Sequence, residues 1–213
     1  MPRRSTSDAP TPGSAADLTP DADPVDVARA IVLRQLTAGP RTRAQLEQAL
    51  RKRDVPDDAA LQVLDRFSEL GYVNDEAFAK AWVDSRHAGR GLARRALSHE
   101  LRQRGVSDEV ARDAVDTLDP DDERETARRL VRRRLASMRG QSADVATRRL
   151  AGMLARKGYS SGLAFAVIRE ELTALAERSG AAPAATAGLG FELDEVVESP
   201  DEPDELPVVP HSS

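Results

Sequence analysis

The sequence predicts an all-α protein: three tandem three-helix repeats forming an elongated curved rod, with disordered tails. Two observations predict it. Apolar residues recur at helical spacing through residues 25–172, with no alternating strand pattern and only 3 % aromatic residues. The same pattern also comes round three times: LEQALRKRDVPDDAALQVL from Leu46, LSHELRQRGVSDEVARDAV from Leu97 and LAGMLARKGYSSGLAFAVI from Leu150 align at offsets of 51 and 53 residues.

The elements follow in order. Residues 1–24 are rich in Pro, Ser, Thr, Ala and Asp and cannot bury enough apolar area to offset their ordering entropy, so they are read as a disordered tail. The first repeat spans 25–74. It opens with an amphipathic helix over about 25–37, and Thr42 with Gln45 forms a capping box for its second helix. Leu46 and Leu50 lie four apart on one helix face, as do Leu97 with Leu101 and Leu150 with Leu154. Asp54, Gly105 and Gly158 align where each second helix ends, a position that favours left-handed backbone. Ser107 and Ser160 then cap the third helices; in the first repeat Pro56 cannot, and Asp57 is expected to do so. The second repeat spans 75–120, with a first helix over 75–88 and a second over 92–104. GRG at 89–91 is read as a helix break and flexible entry, not a phosphate loop, because it follows a helix and lacks the GxGxxG pattern. The third repeat spans 121–175, opening with a helix over 121–139. Residues 176–213 are read as an acidic disordered tail. Phe78, Trp82 and Tyr72 sit at apolar positions and are assigned to the core.

Composition excludes several functions. The chain has no cysteine, so disulfides, thiolate metal sites and a cysteine nucleophile are excluded. His87, His99 and His211 lack metal-ligand spacing, and no nucleophile, base and acid set has recognisable spacing. No enzymatic activity, catalytic residue, metal or cofactor is therefore expected. No apolar run is long enough for a membrane span and no leader is recognisable, so a cytoplasmic monomer is expected. The paired acids Asp57 and Asp58, and Asp121 and Asp122, are explained by helix starts.

Charge points toward a partner. The net charge of −5 divides into +5 over residues 25–172, −2 over 1–24 and −8 over 173–213. A basic body between acidic ends suits an anionic partner, and the C-terminal tail could compete for the same surface. Residues 85–105 hold six arginines. Arg95, His99 and Arg102 form a stripe beside the Ala93, Leu97 and Leu101 face, with Arg90 and Arg94 at the helix entry. In the third repeat, with Leu130 at zero, Arg128, Arg132 and Arg139 fall at about 160–200° and Arg129 and Arg133 at about 260–300°, away from the apolar arc. Arg134 falls inside that arc, where it must snorkel, meet an acid or mark a phase error. A helix-turn-helix DNA reader is disfavoured because the second helix of the pair, SDEVARDAVDTL, is acidic. Binding of single strands by stacking is disfavoured by the scarcity of aromatics.

Gly71 and Tyr72, then Asn74, Asp75 and Glu76, then Phe78 and Ala79, Ser85 and Arg86 before the glycine-containing turn, and Glu100, Leu101 and the Arg104, Gly105, Val106, Ser107 break form a further pattern. With these residues the second repeat resembles the RecX family of bacterial recombination regulators. The likeness covers about 25–172, and the triplication matches that family's repeats. Two features depart from it: Leu92 and Ala93 follow Gly91 where a proline is common, and the acidic tail lies outside the shared region. The resemblance implies a non-enzymatic protein of the SOS response and DNA repair. Such a protein binds the RecA–DNA filament in its groove and restrains ATP hydrolysis, strand exchange and co-protease activity. No motif of the family assigns contacts. From the charge pattern, the filament-binding residues are expected to be Arg86, Arg90, Arg94, Arg95, Arg102, Arg128, Arg129, Arg132 and Arg133, with weak contacts to single- or double-stranded DNA. The alternative is a general nucleic-acid binder that acts by sequestering DNA.

Overall fold

The computed structural model describes residues 23–178 apart from Arg139. Of the expected tails at 1–24 and 176–213, residues 1–22 and 179–213 lie outside the described residues, as does Arg139. Among the described residues the fold is all-α, in two compact units divided between Asn74 and Asp75.

The first unit holds α1 (Pro24–Ala38), α2 (Arg43–Arg51) and α3 (Asp57–Glu69). Asp23 caps α1 by accepting from the Val25 amide, and Pro24 opens the helix where its missing N–H is not needed. The Thr42 and Gln45 capping box is present in both directions, and Thr42 is fully buried. Asp57 does not cap α3. It is the helix's first residue, and Pro56 stands at the cap with no side-chain hydrogen bond; Asp57 and Asp58 favour the positive end of the helix, and Asp58 also accepts from the Ala59 amide at 2.9 Å. Asp54 takes the left-handed conformation at φ 55°. Ala28, Val32, Leu46, Leu50, Val63 and Leu64 form the centre of the core. Tyr72 is not in it. Its ring tilts against Phe67 at 5.9 Å and remains 67 % exposed, because the residue follows the Gly71 turn instead of a helix face.

The second unit holds α4 (Asp75–Arg90), α5 (Arg94–Gln103), α6 (Asp108–Asp116), α7 (Pro120–Ala136), α8 (Ala143–Arg156) and α9 (Ser161–Arg178). Helix α4 packs on α5 and α6, and α9 packs on α7 and α8. Ser107 and Ser160 cap as expected, accepting from the Val110 and Leu163 amides. Gly105 and Gly158 are left-handed at φ 78° and 83°. All six aligned leucines are 0 % exposed, so the repeat pattern marks the centre of each helical pair.

Four boundaries differ from the sequence expectation. Helix α4 runs through Gly89 to Arg90, so the break falls at Gly91 alone, at φ 64°. A Cβ there would also lie 3.1 Å from Leu130 Cδ1. Helix α5 starts at Arg94, after an extended Ala93. Helix α7 stops at Ala136, capped by Ser137, which frees the Arg134 side chain to reach solvent and the Ser137 hydroxyl. Helix α9 extends three residues past 175.

Candidate functional site

The nine arginines singled out by charge fall into different environments. Arg86 belongs to the second repeat's core. Trp82 is 3 % exposed, stacks on Phe78, and has the Arg86 and Arg104 guanidinium carbons 4.1 and 3.6 Å from its ring centre. Its indole N–H donates to Glu100 Oε2 at 2.8 Å, and that carboxylate lies 3.9 Å from both Arg86 and Arg90. Two guanidinium groups over an indole make a cation–π cluster, with the Glu100 carboxylate offsetting part of its positive charge. Arg104 also donates to the Glu100 carbonyl.

Arg94 joins the second repeat to the third. Its backbone N–H donates to Glu123 Oε1 at 3.0 Å, its guanidinium faces the same carboxylate at 3.6 Å, and it also donates to the Leu118 carbonyl. Around it the two repeats are laced by backbone. The Ala93 amide donates to the Lys157 carbonyl at 2.8 Å, Lys157 Nζ to the Arg90 carbonyl at 2.6 Å, and the buried Tyr159 hydroxyl to the Gly91 carbonyl at 3.1 Å. Burial pushes the Tyr159 phenol well above its ordinary value, so it stays a donor. Ala93 belongs to the core of the third repeat, not the second. His87 completes the junction. Its Nδ1 must donate to the Leu92 carbonyl at 2.9 Å, because a carbonyl only accepts, which leaves Nε2 to accept from the Thr126 hydroxyl at 3.0 Å. Arg129 donates to the same hydroxyl at 2.8 Å.

Arg128 and Arg132 lie off the apolar arc of α7 as the periodicity placed them, and there they meet acids of α9. Arg128 meets Glu170 at 3.0 Å and Arg132 meets Glu171 at 2.9 Å, while Arg124 also pairs with Glu170. Glu171 is only 4 % exposed, so its pair with Arg132 seals the α7–α9 seam. The Arg128 hydrogen bond, with Arg124 beside it, holds the Glu170 carboxyl below its ordinary value.

The remaining candidates face outward. Arg95 and Arg133 are exposed and have no ion-pair partner among the described residues; Arg129 is exposed and bonded only to Thr126. Arg90 is 48 % exposed, and Arg102 is 52 % exposed but paired with Asp108 at 2.5 Å. Lys157, which sequence reasoning passed over, lies among Arg90 and Arg133. Its ammonium is held below its ordinary value by burial first and then by those two charges. Nothing in its local sequence marked it, since its position depends on the contact between two repeats. Among the described residues there is no group of three or more metal-ligating His, Asp or Glu side chains, and no helix long and apolar enough to cross a membrane.

Fold and surface together define a protein of tandem three-helix repeats with a cationic outer face on its second and third repeats. Residues 28–67, 74–115 and 121–168 match, in order, the first, second and third three-helix domains of RecX. The chain belongs to the RecX family. It is 59 % identical over 179 residues to the regulatory protein RecX of Thermobifida fusca, spanning 82 % of this chain and 93 % of that one. The Streptomyces coelicolor relative is 60 % identical over 153 residues, spanning 72 % and 81 %, and that of Mycolicibacterium smegmatis 48 % identical over 155 residues, spanning 71 % and 82 %. In fold it is similar to the crystal structure of RecX from Lactobacillus salivarius, with a TM-score of 0.66 at 21 % identity, covering 70 % of this chain and 96 % of that one.

Proposed function

We propose that the protein, a cytoplasmic monomer, binds the RecA–DNA filament and restrains its ATPase, strand exchange and co-protease activity. The observation that carries the reading is membership of a family of regulatory proteins across all three repeats. The outward cations support a filament, whose phosphates and acidic side chains are both anionic. Arg90, Arg95, Arg129 and Arg133 are the contact residues of choice, with Arg102 at the rim. Arg86, Arg94, Arg128 and Arg132 act by holding the helices that present them.

The test is the single-strand-DNA-dependent ATPase of the cognate RecA, titrated with this protein with and without excess DNA. Inhibition below one molecule per RecA that persists in excess DNA is expected. Relief by excess DNA would instead mean sequestration of DNA, and no inhibition would overturn the reading. Replacing Arg90, Arg95 and Arg133 together by Gln should raise the half-inhibitory concentration by roughly tenfold or more, as the loss of several rim charges does.

A further inference from the structure

Four cations gather where the second and third repeats meet, with one shared acid, Glu100, beside Arg90. Lys157 sits in the turn between α8 and α9 with its ammonium on the Arg90 carbonyl, close enough to Arg90 and Arg133 for both to oppose its charge. Arg129 is near enough to act on the adjoining Tyr159. The nearest carboxylates are shared with other groups: Glu123 with Arg94, and Glu100 with the Trp82 indole and, at 3.9 Å each, with both Arg86 and Arg90. Of the other cations of α7, Arg124, Arg128 and Arg132 each have a glutamate, and Arg134 reaches the Ser137 hydroxyl. A like-charge cluster of this kind is unfavourable unless an anion covers it.

The chain carries such an anion. Residues 192–205, outside the described residues, hold eight Asp and Glu among fourteen positions and no Lys or Arg. Thirteen residues, 179–191, separate them from the end of α9. The cluster lies at the opposite end of that helix, whose 18 residues span about 27 Å. Thirteen extended residues reach up to ~45 Å, so the segment can return along α9 to the cluster. A tether this short gives an effective concentration on the order of 1 mM, enough to populate even a weak contact between opposite charges.

We propose that the acidic segment 192–205 docks on the cluster of Arg90, Arg129, Arg133 and Lys157 and must leave it before an anionic partner can bind there. The inference does not depend on which partner that is. It makes the segment an internal competitor whose hold weakens with salt, since the screening length shortens from about 8 Å at physiological ionic strength to about 3 Å at 1 M.

The chain has three lysines, Lys52, Lys80 and Lys157, and this permits a direct test. A water-soluble carbodiimide joins an amine to a carboxylate without a spacer, so it records only pairs in contact. The full-length protein is treated at low concentration, the monomer is isolated, and amide-linked peptides are mapped by mass spectrometry. Acetylation under the same conditions verifies that Lys157 reacts. Links from 192–205 to Lys157 should exceed those to the exposed Lys52 and Lys80 by roughly tenfold. They should vanish near 1 M salt and fall in Arg133→Gln. Links spread evenly over the three lysines, or none to a Lys157 that acetylates normally, would overturn the proposal.

Discussion

Replacing Gly158 by Ala should loosen the contact between the second and third repeats, and a second glycine with the same backbone separates the causes. Gly158 has φ 83°, and a Cβ placed on it would lie 2.4 Å from Ala96 N, 2.7 Å from Ala96 Cβ and 3.0 Å from Ala96 Cα. Those are backbone and near-backbone atoms of α5, which cannot swing aside. The helix cannot retreat either, because the Ala93 amide is bonded to the Lys157 carbonyl at 2.8 Å. Gly140 also has φ 83°, but a Cβ there meets nothing within 4 Å. Left-handed backbone with a Cβ costs ~1–2 kcal/mol, and forcing a methyl into packed space adds ~1–3 kcal/mol. Gly140→Ala should therefore lose about 1–2 kcal/mol and Gly158→Ala about 2–5 kcal/mol. Trp82 is the chain's single tryptophan and is buried in the second repeat, so its fluorescence reports this unit. With a urea slope of about 2 kcal/mol/M, the midpoint should fall by roughly 1–2 M for Gly158→Ala and by under ~1 M for Gly140→Ala. Equal shifts would refute the clash and leave only the backbone term.

Glu100→Leu removes both the acceptor of the Trp82 N–H and the charge beside Arg86, and should destabilise the second unit by ~2–3 kcal/mol in the same assay; Glu100→Gln should lose less. Thr42→Ala removes a fully buried N-cap and should lower the stability of the first unit by about 1–2 kcal/mol, read as faster amide exchange in α2. The Glu170 carboxyl is depressed in the folded state, so its contribution is complete above the unfolded value and fades as pH falls from that value through the folded one. Urea midpoints should therefore drop on acidification below about pH 5, and Glu170→Gln should flatten that drop. Arg95→Gln and Arg133→Gln should leave stability within ~0.5 kcal/mol, whereas Arg94→Gln, which loses Glu123 and the Leu118 carbonyl, should lower it by about 1–3 kcal/mol.

The helices were legible because their signals are local. A leucine pair four apart, a left-handed residue and a capping serine all act within a dozen positions; the first two recur three times and the serine twice. The errors came where a distant element decides. Helix α4 continues through Gly89 because helix is allowed to glycine, and only the left-handed Gly91, facing Leu130, ends it. Helix α5 starts late because Ala93 spends its amide on Lys157, 64 residues away. Tyr72 reads as core by type, but the Gly71 turn carries it outward.

The arginines show the same limit more sharply. Periodicity placed Arg128 and Arg132 on one strip of α7 and Arg129 and Arg133 on another, both away from the apolar arc, and a helical wheel has no means of separating those that meet acids from those that do not. The separation comes from α9, which brings Glu170 and Glu171 against Arg128 and Arg132 and leaves Arg129 and Arg133 beyond their reach. Two consecutive glutamates in EELTALAER carry no mark of that role until α7 and α9 pack. The division has a functional corollary. A charge already satisfied within the fold contributes little to a partner, since binding would exchange one ion pair for another, while a charge without a counterion gains the whole interaction. Under the proposed function, the surface offered to an anionic partner is smaller than the arginine count suggests and is centred where Lys157 meets Arg90 and Arg133.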